Sequence, residues 1–190
     1  MSKLYIPLLC LTLSACIRPI GPSVTVPHTE PLNITGYSNN YANKPLKIAS
    51  FLDERKENYV TFVGQYPTVF EGSVTGVVQD QITQLLKGKG FEISNKSKRT
   101  LLGAVKVWRA EVVPGMSGSV NAVAKIGIDL KDVSGRKIYT GVYEGSSFIS
   151  NTQIGEQDLR VALGAAMLEA VEQAGSDKRL LDLASYTAKD

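Results

Sequence analysis

Apolar residues alternate most clearly at Val120, Ala122, Ala124, Ile126, Ile128 and Leu130, with Ser119, Asn121, Lys125, Asp129 and Lys131 between them. A period of two predicts a strand over 120–133 with one buried and one wet face. A strand over 101–113 precedes it, and Pro114-Gly115-Met116-Ser117-Gly118 separates the two. Asp132-Val133-Ser134-Gly135-Arg136 reads as a hairpin turn, returning into a strand over 137–149. Leu46 to Leu52 reads as a first strand and 59–63 as a short extension.

Two segments change period. Phe70, Val74, Val77, Val78, Ile82, Leu85 and Leu86 fall on one helical face, which Gly88 and Gly90 should end before an extended Phe91-Glu92-Ile93. Over 156–174, Leu159, Leu163, Ala166, Met167, Ala170, Val171 and Ala174 form a second stripe, with Glu156 and Asp158 suited to its positive N-terminus. After Gly175, Ser176 is placed to cap a short final helix through about residue 184. The sum is an α+β fold: a mainly antiparallel β-sheet with two principal helices packed on one face, a two-layer sandwich.

The N-terminus follows another logic. Lys3, an apolar run from Leu4 to Leu13 and then small residues have the layout of a signal peptide, too short to span a bilayer. Leu13-Ser14-Ala15-Cys16 resembles the bacterial lipobox. That resemblance implies removal of residues 1–15 and lipidation of Cys16, with a diacylglyceryl group on its sulfur and usually an acyl chain on its amine. Two or three chains hold firmly where one holds marginally. Ile17 stands where Asp commonly retains lipoproteins at the inner membrane, so the expected address is the outer membrane, with the domain facing the periplasm. Pro19, Pro22, Pro27 and Pro31, then Gly36, Asn39, Asn40 and Asn43, mark 16–43 as a tether reaching about 90 Å at full extension. A short strand near Ser23 to Val26 has room to dock on the body, though not centrally in a sheet. A single domain over 44–186 and a tail of 187–190 complete the division.

Composition sets limits on chemistry. The 190 residues are 43% hydrophobic and 21% charged, with 21 Lys plus Arg against 18 Asp plus Glu spread along the chain, not the concentrated stripe of a nucleic-acid binder. The single histidine, His28, has no second His with which to share a metal or a proton. Cys10 lies in the leader, so the mature chain holds no thiol pair. No cofactor is expected.

The body resembles the YajG-type family of bacterial lipoproteins. The likeness rests on the lipobox, a first strand running into Asp53-Glu54-Arg55, a helix ending before Lys89-Gly90-Phe91-Glu92-Ile93, the strand pair around Gly135-Arg136-Lys137-Ile138-Tyr139, and the closing Asp177-Lys178-Arg179-Leu180-Leu181. It implies an outer-membrane-anchored periplasmic domain and no catalytic residues; a looser, fold-level likeness to accessory lipoproteins of envelope assembly and transport machines adds envelope proteins to the membrane as expected partners.

Candidate chemistry is sparse. Ser134-Gly135-Arg136-Lys137 has the spacing of acyl-serine enzymes, but in a turn rather than a helix. Gly88-Lys89-Gly90 reads as a helix stop rather than a phosphate loop, because the helix precedes the strand. Asp53, Glu54 and Glu57 with Arg55 and Lys56 read as a solvated loop, in which Arg55 either pairs with Asp53 or caps the neighbouring helix. If Val105, Val107, Ile138 and Val142 face the helices, alternation sends Trp108, Tyr139 and Tyr143 to the opposite face. There they are either a candidate interaction patch or a surface covered by the tether. The expected function is a non-enzymatic accessory or scaffolding module for envelope assembly or transport, with a ligand-binding lipoprotein (glycan, lipid or peptide) as the alternative.

Overall fold

The computed structural model describes residues 23–25, 40–56, 59–63, 66–113 and 117–186. The leader, Cys16, His28 and the 187–190 tail lie outside them. In chain order the elements are β1 (Ser23–Thr25), β2 (Lys44–Ile48), β3 (Leu52–Asp53), β4 (Tyr59–Val63), β5 (Tyr66–Glu71), α1 (Val74–Gly88), β6 (Phe91–Ile93), β7 (Thr100–Val113), β8 (Gly118–Lys131), β9 (Lys137–Asn151), α2 (Glu156–Ser176) and α3 (Lys178–Ser185).

The α+β sandwich has the expected form. β6, β2, β7, β8 and β9 lie in that order, with β3 also alongside β7. The long pairs β7–β8 and β8–β9 are antiparallel, while β2, β3 and β6 are joined in parallel. The alternation read in β8 holds: Val120, Ala122, Ala124, Ile126, Ile128 and Leu130 are all buried under the helices. Each fully buried Ile or Leu contributes about 1.5–3 kcal/mol, so this strand is a main support of the core. Its other face is wet. There Lys125 meets Glu144 at 2.9 Å, and Asp129 takes Lys137 and Thr140, each at 2.7 Å.

The close fit of α2 to the sheet depends on small residues. A Cβ built on Gly145 of β9 would stand 2.0 Å from the Ala166 carbonyl oxygen and 2.6 Å from the Ala170 nitrogen. α2 also reaches over the edge of β9. Glu169 Oε2 accepts the Ser146 N–H at 2.7 Å and Gln173 Oε1 accepts that of Glu144 at 3.4 Å.

Four expectations change. Phe70 belongs to β5 and not to the helix, because Gly72 breaks the segment and Ser73 starts α1 by accepting the Gly76 N–H at 3.0 Å. The first strand splits at 49–51, where Phe51 turns inward, lays its ring over Gly103 and gives its N–H to Gln79 Oε1 at 3.1 Å. Gly175 does not end α2; it lies inside the helix, where Leu85 of α1 packs so closely that a Cβ would meet it at 2.5 Å. The cap of α3 is therefore Asp177, whose Oδ1 accepts the Leu180 N–H at 3.0 Å, and not Ser176. By contrast, α1 ends at Gly88 as read, and Gly90 supplies the positive φ of 100° that the exit requires.

A second sheet has the order β1, β5, β4, with β4 alongside β7 of the main sheet. The foreseen short strand at Ser23 occupies its edge, parallel to β5. The packed body also begins before Lys44: the Tyr41 ring stacks on Phe91 with centroids 5.1 Å apart, and its hydroxyl donates to Asp182 at 3.1 Å.

Candidate functional site

One irregularity in β7 organises the site. Its pairing with β8 shifts between Val105 and Val107, leaving Lys106 as an extra residue. A bulge of this kind reverses which side the following residues face. Leu101, Gly103 and Val105 face the helices before it; Trp108 and Ala110 face them after it.

This overturns the expected aromatic patch. Trp108 is 1% exposed, in the core under α2, where its indole Nε1 donates to the Leu163 carbonyl oxygen at 3.0 Å. Tyr139 and Tyr143 are paired with Leu130 and Ile126, on the same inward face, and Tyr143 is 7% exposed. Val142, expected inward, is exposed. Strict alternation through β7 failed at one inserted residue, and β9 was read one position out of phase.

The two tyrosines have a different task. Their hydroxyls lie 2.8 Å apart, and both donate to Asp177 Oδ2, Tyr143 at 2.9 Å. Gly141 between them on β9 leaves the room, since a Cβ there would crowd both phenol oxygens. Asp177 thus ties β9 to the α2–α3 junction while capping α3. Burial pushes the Tyr143 phenol far up, and the neighbouring Tyr139 oxygen and Asp177 add to it; Tyr139 is raised by burial and by Asp177. Burial opposes ionisation of Asp177, but the phenol and backbone donors outweigh it and hold the carboxyl below its ordinary value of 3.8. A neutral phenol pair on a stable carboxylate is a structural clasp.

The bulge also opens a cavity of about 490 Å³, lined by Glu54, Arg55, Lys56, Lys106, Val107, Trp108 and Arg109. The Lys106 chain lies across Gly127, and its Nζ meets Glu54 Oε2 at 2.7 Å. Arg55 grips Asp53 in a two-point pair, Nε to Oδ1 at 2.9 Å and Nη2 to Oδ2 at 2.7 Å, and its side chain is 8% exposed. Between the two readings of Arg55, pairing with Asp53 is the one found. That guanidinium holds the Asp53 carboxyl below the carboxylate range, against the opposing effect of burial. Four cations and one carboxylate over an apolar floor suit an anionic group with an apolar body.

Lys106 and Arg109 were not singled out in the sequence, because a cation on an alternating strand looks like any outward residue. Asp177 was visible only as part of a closing motif. Ser134 is held in the β8–β9 turn, its N–H and Oγ both on Asp132 Oδ1, at 2.9 and 2.6 Å. Among the described residues there is no group of three or more His, Cys, Asp or Glu placed to hold a metal, and no helix is long and apolar enough to cross a membrane.

No family model matches the chain, and no curated protein matches it. Solved structures resemble it to differing degrees. Protein XCC0632 from Xanthomonas campestris, of family model DUF330, superposes with a TM-score of 0.60 at 8% identity, covering 85% of this chain and 96% of its own. A minor lipoprotein from Acinetobacter baumannii gives 0.46 at 14% identity, over 70% of this chain and 89% of its own. Lipoprotein GNA1162 from Neisseria meningitidis gives 0.34 at 10% identity, over 62% and 90%. At 8% identity the first is a likeness of fold alone.

Proposed function

We propose that this chain is a lipid-anchored lipoprotein of the bacterial envelope, held by Cys16 in the outer membrane and presenting a non-enzymatic α+β domain to the periplasm, in the manner of YajG-type lipoproteins. The observation that carries the reading is Leu13-Ser14-Ala15-Cys16 at the end of an apolar run too short to span. The domain serves as an accessory or scaffolding module whose partners are envelope proteins. In support, the Tyr139–Tyr143–Asp177 clasp, the group of titratable side chains that joins separate elements, is occupied with holding β9 to the α2–α3 junction. Replacing Cys16 by Ala tests the anchor: the protein leaves the membrane fraction, and continued membrane association of the variant refutes it. Separation of inner and outer membranes by density then tests the address.

A second reading is favoured by one observation, the cation-lined cavity at the β7 bulge. In it the domain binds an amphiphilic anion, with the acid group at Arg55, Lys56 and Arg109 and the apolar part over Val107. Calorimetric titration with dodecanoate tests this. Lys56→Glu with Arg109→Glu should weaken binding by more than about tenfold, and an unchanged isotherm removes the reading.

A further inference from the structure

The stretch between Cys16 and the body is not a free tether throughout, because β1 is docked: Ser23 pairs with Val69, and Thr25 with Glu71. From Cys16 to Ser23 is only seven residue steps, at most about 25 Å of extended chain, against about 90 Å for the whole stretch. The parallel pairing also sets direction. The chain enters β1 from the side on which β5 begins, which is the side where Val63 pairs with Tyr66 to close the β4–β5 hairpin. Tyr66 precedes Val69 by three residues, about 10 Å of strand, so the hairpin end projects past the start of β1 towards the chain's origin. A lipid on Cys16 then lies no more than about 15 Å beyond that end along the strand direction.

The composition of the hairpin fits such a neighbour. From Tyr59 to Phe70 the chain reads Tyr-Val-Thr-Phe-Val-Gly-Gln-Tyr-Pro-Thr-Val-Phe, with no Asp, Glu, Lys or Arg, in a sequence that is 21% charged. Phe62 and Val63 stand at the closing end of β4, and Tyr66 and Pro67 at that of β5. Aromatic and apolar residues free of charge are those that settle at the boundary between headgroups and acyl chains. Entry is confined to the end, since an open sheet edge cannot be buried in hydrocarbon.

We infer that the closed end of the β4–β5 hairpin is a membrane-contact surface, seated in the headgroup region of the bilayer that holds the Cys16 lipid. The inference rests on lipidation of Cys16 and adds to it an orientation: the small sheet faces the bilayer, on a short leash.

The test uses full-length, lipidated protein in vesicles of phosphatidylethanolamine and phosphatidylglycerol. Val63→Cys, and separately Tyr66→Cys, carries an environment-sensitive fluorophore, the Cys16 sulfur being blocked by its lipid. Lipids with spin-labelled acyl chains should quench both labels. Inserting a flexible Gly/Ser run of about 20 residues between Cys16 and Ser23 should lower that quenching by about threefold, because the local concentration of bilayer around the hairpin falls with leash length. Water-like, unquenched emission from both labels, on protein whose Cys16 lipid is verified by mass, overturns the orientation and leaves the anchor standing. An unmodified Cys16 overturns the anchor as well.

Discussion

The indole N–H of Trp108 donates to the carbonyl oxygen of Leu163 at 3.0 Å, although Leu163 lies in the middle of α2. A helix-interior carbonyl already accepts from within its own helix, so this bond is a second one, fixing where along β7 the helix rests. Trp108→Phe keeps an aromatic ring but removes the donor, and should cost about 1–2 kcal/mol. Trp108→Ala should cost about 3–5 kcal/mol through the cavity it leaves. Trp108 is the single Trp of the chain, so urea unfolding of these variants is followed by circular dichroism, with the midpoint falling and the slope unchanged.

Gly145→Ala should be among the most damaging small substitutions. The new methyl would stand 2.0 Å from the Ala166 carbonyl oxygen, a main-chain atom that cannot swing away. Lifting α2 from β9 should cost about 3 kcal/mol or more, read as a fall in melting temperature. By comparison Gly135→Ala, where a Cβ meets nothing within 4 Å, bears only the strain of its φ of 79°.

The clasp makes stability depend on pH at both ends. Asp177 is depressed in the folded state, so its contribution is present above the ordinary carboxylate pKa of 3.8 and is lost as pH falls through the folded value. Asp177→Asn should flatten that part of the acid limb. Tyr143 is raised, so its contribution is complete below the ordinary phenol pKa of 10.0 and declines as pH rises above it. Tyr143→Phe should lose stability at neutral pH yet show a shallower decline in alkali, measured by denaturant titrations across pH 3–11.

Gln81 is 4% exposed on the inner side of α1, and both polar atoms of its amide are buried without a hydrogen-bond partner among the described residues. Gln81→Met keeps the length and removes the stranded dipole. It should raise stability by about 1–2 kcal/mol, visible as a higher urea midpoint.

How far the sequence could be read depended on whether its period was interrupted. In β8 the alternation runs unbroken from Val120 to Leu130, and each residue faces the side its period predicts. In β7 the same rule worked up to Val105 and then inverted, because Lys106 adds a residue without any local sign: nothing in Val-Lys-Val-Trp distinguishes a bulge from an ordinary turn of the pleat. Trp108 left the candidate patch there, as Tyr139 and Tyr143 did through the phase of β9, and the cavity at the bulge has Lys106 and Arg109 on its wall for the same reason. Gly175 misled in a similar way, being small because Leu85 presses on it and not because the helix stops. The helix caps follow local chemistry, and Asp177 before an apolar run was legible once Gly175 no longer marked the end.

The two side chains that α2 extends over β9 bear on how many copies can live side by side. β9 is a 15-residue border strand, long enough to recruit a stranger's backbone. With Glu169 on Ser146 and Gln173 on Glu144, an incoming strand must first break bonds at the middle of that border, where a continuous ladder would otherwise nucleate. Collisions between copies then do not readily grow into fibres.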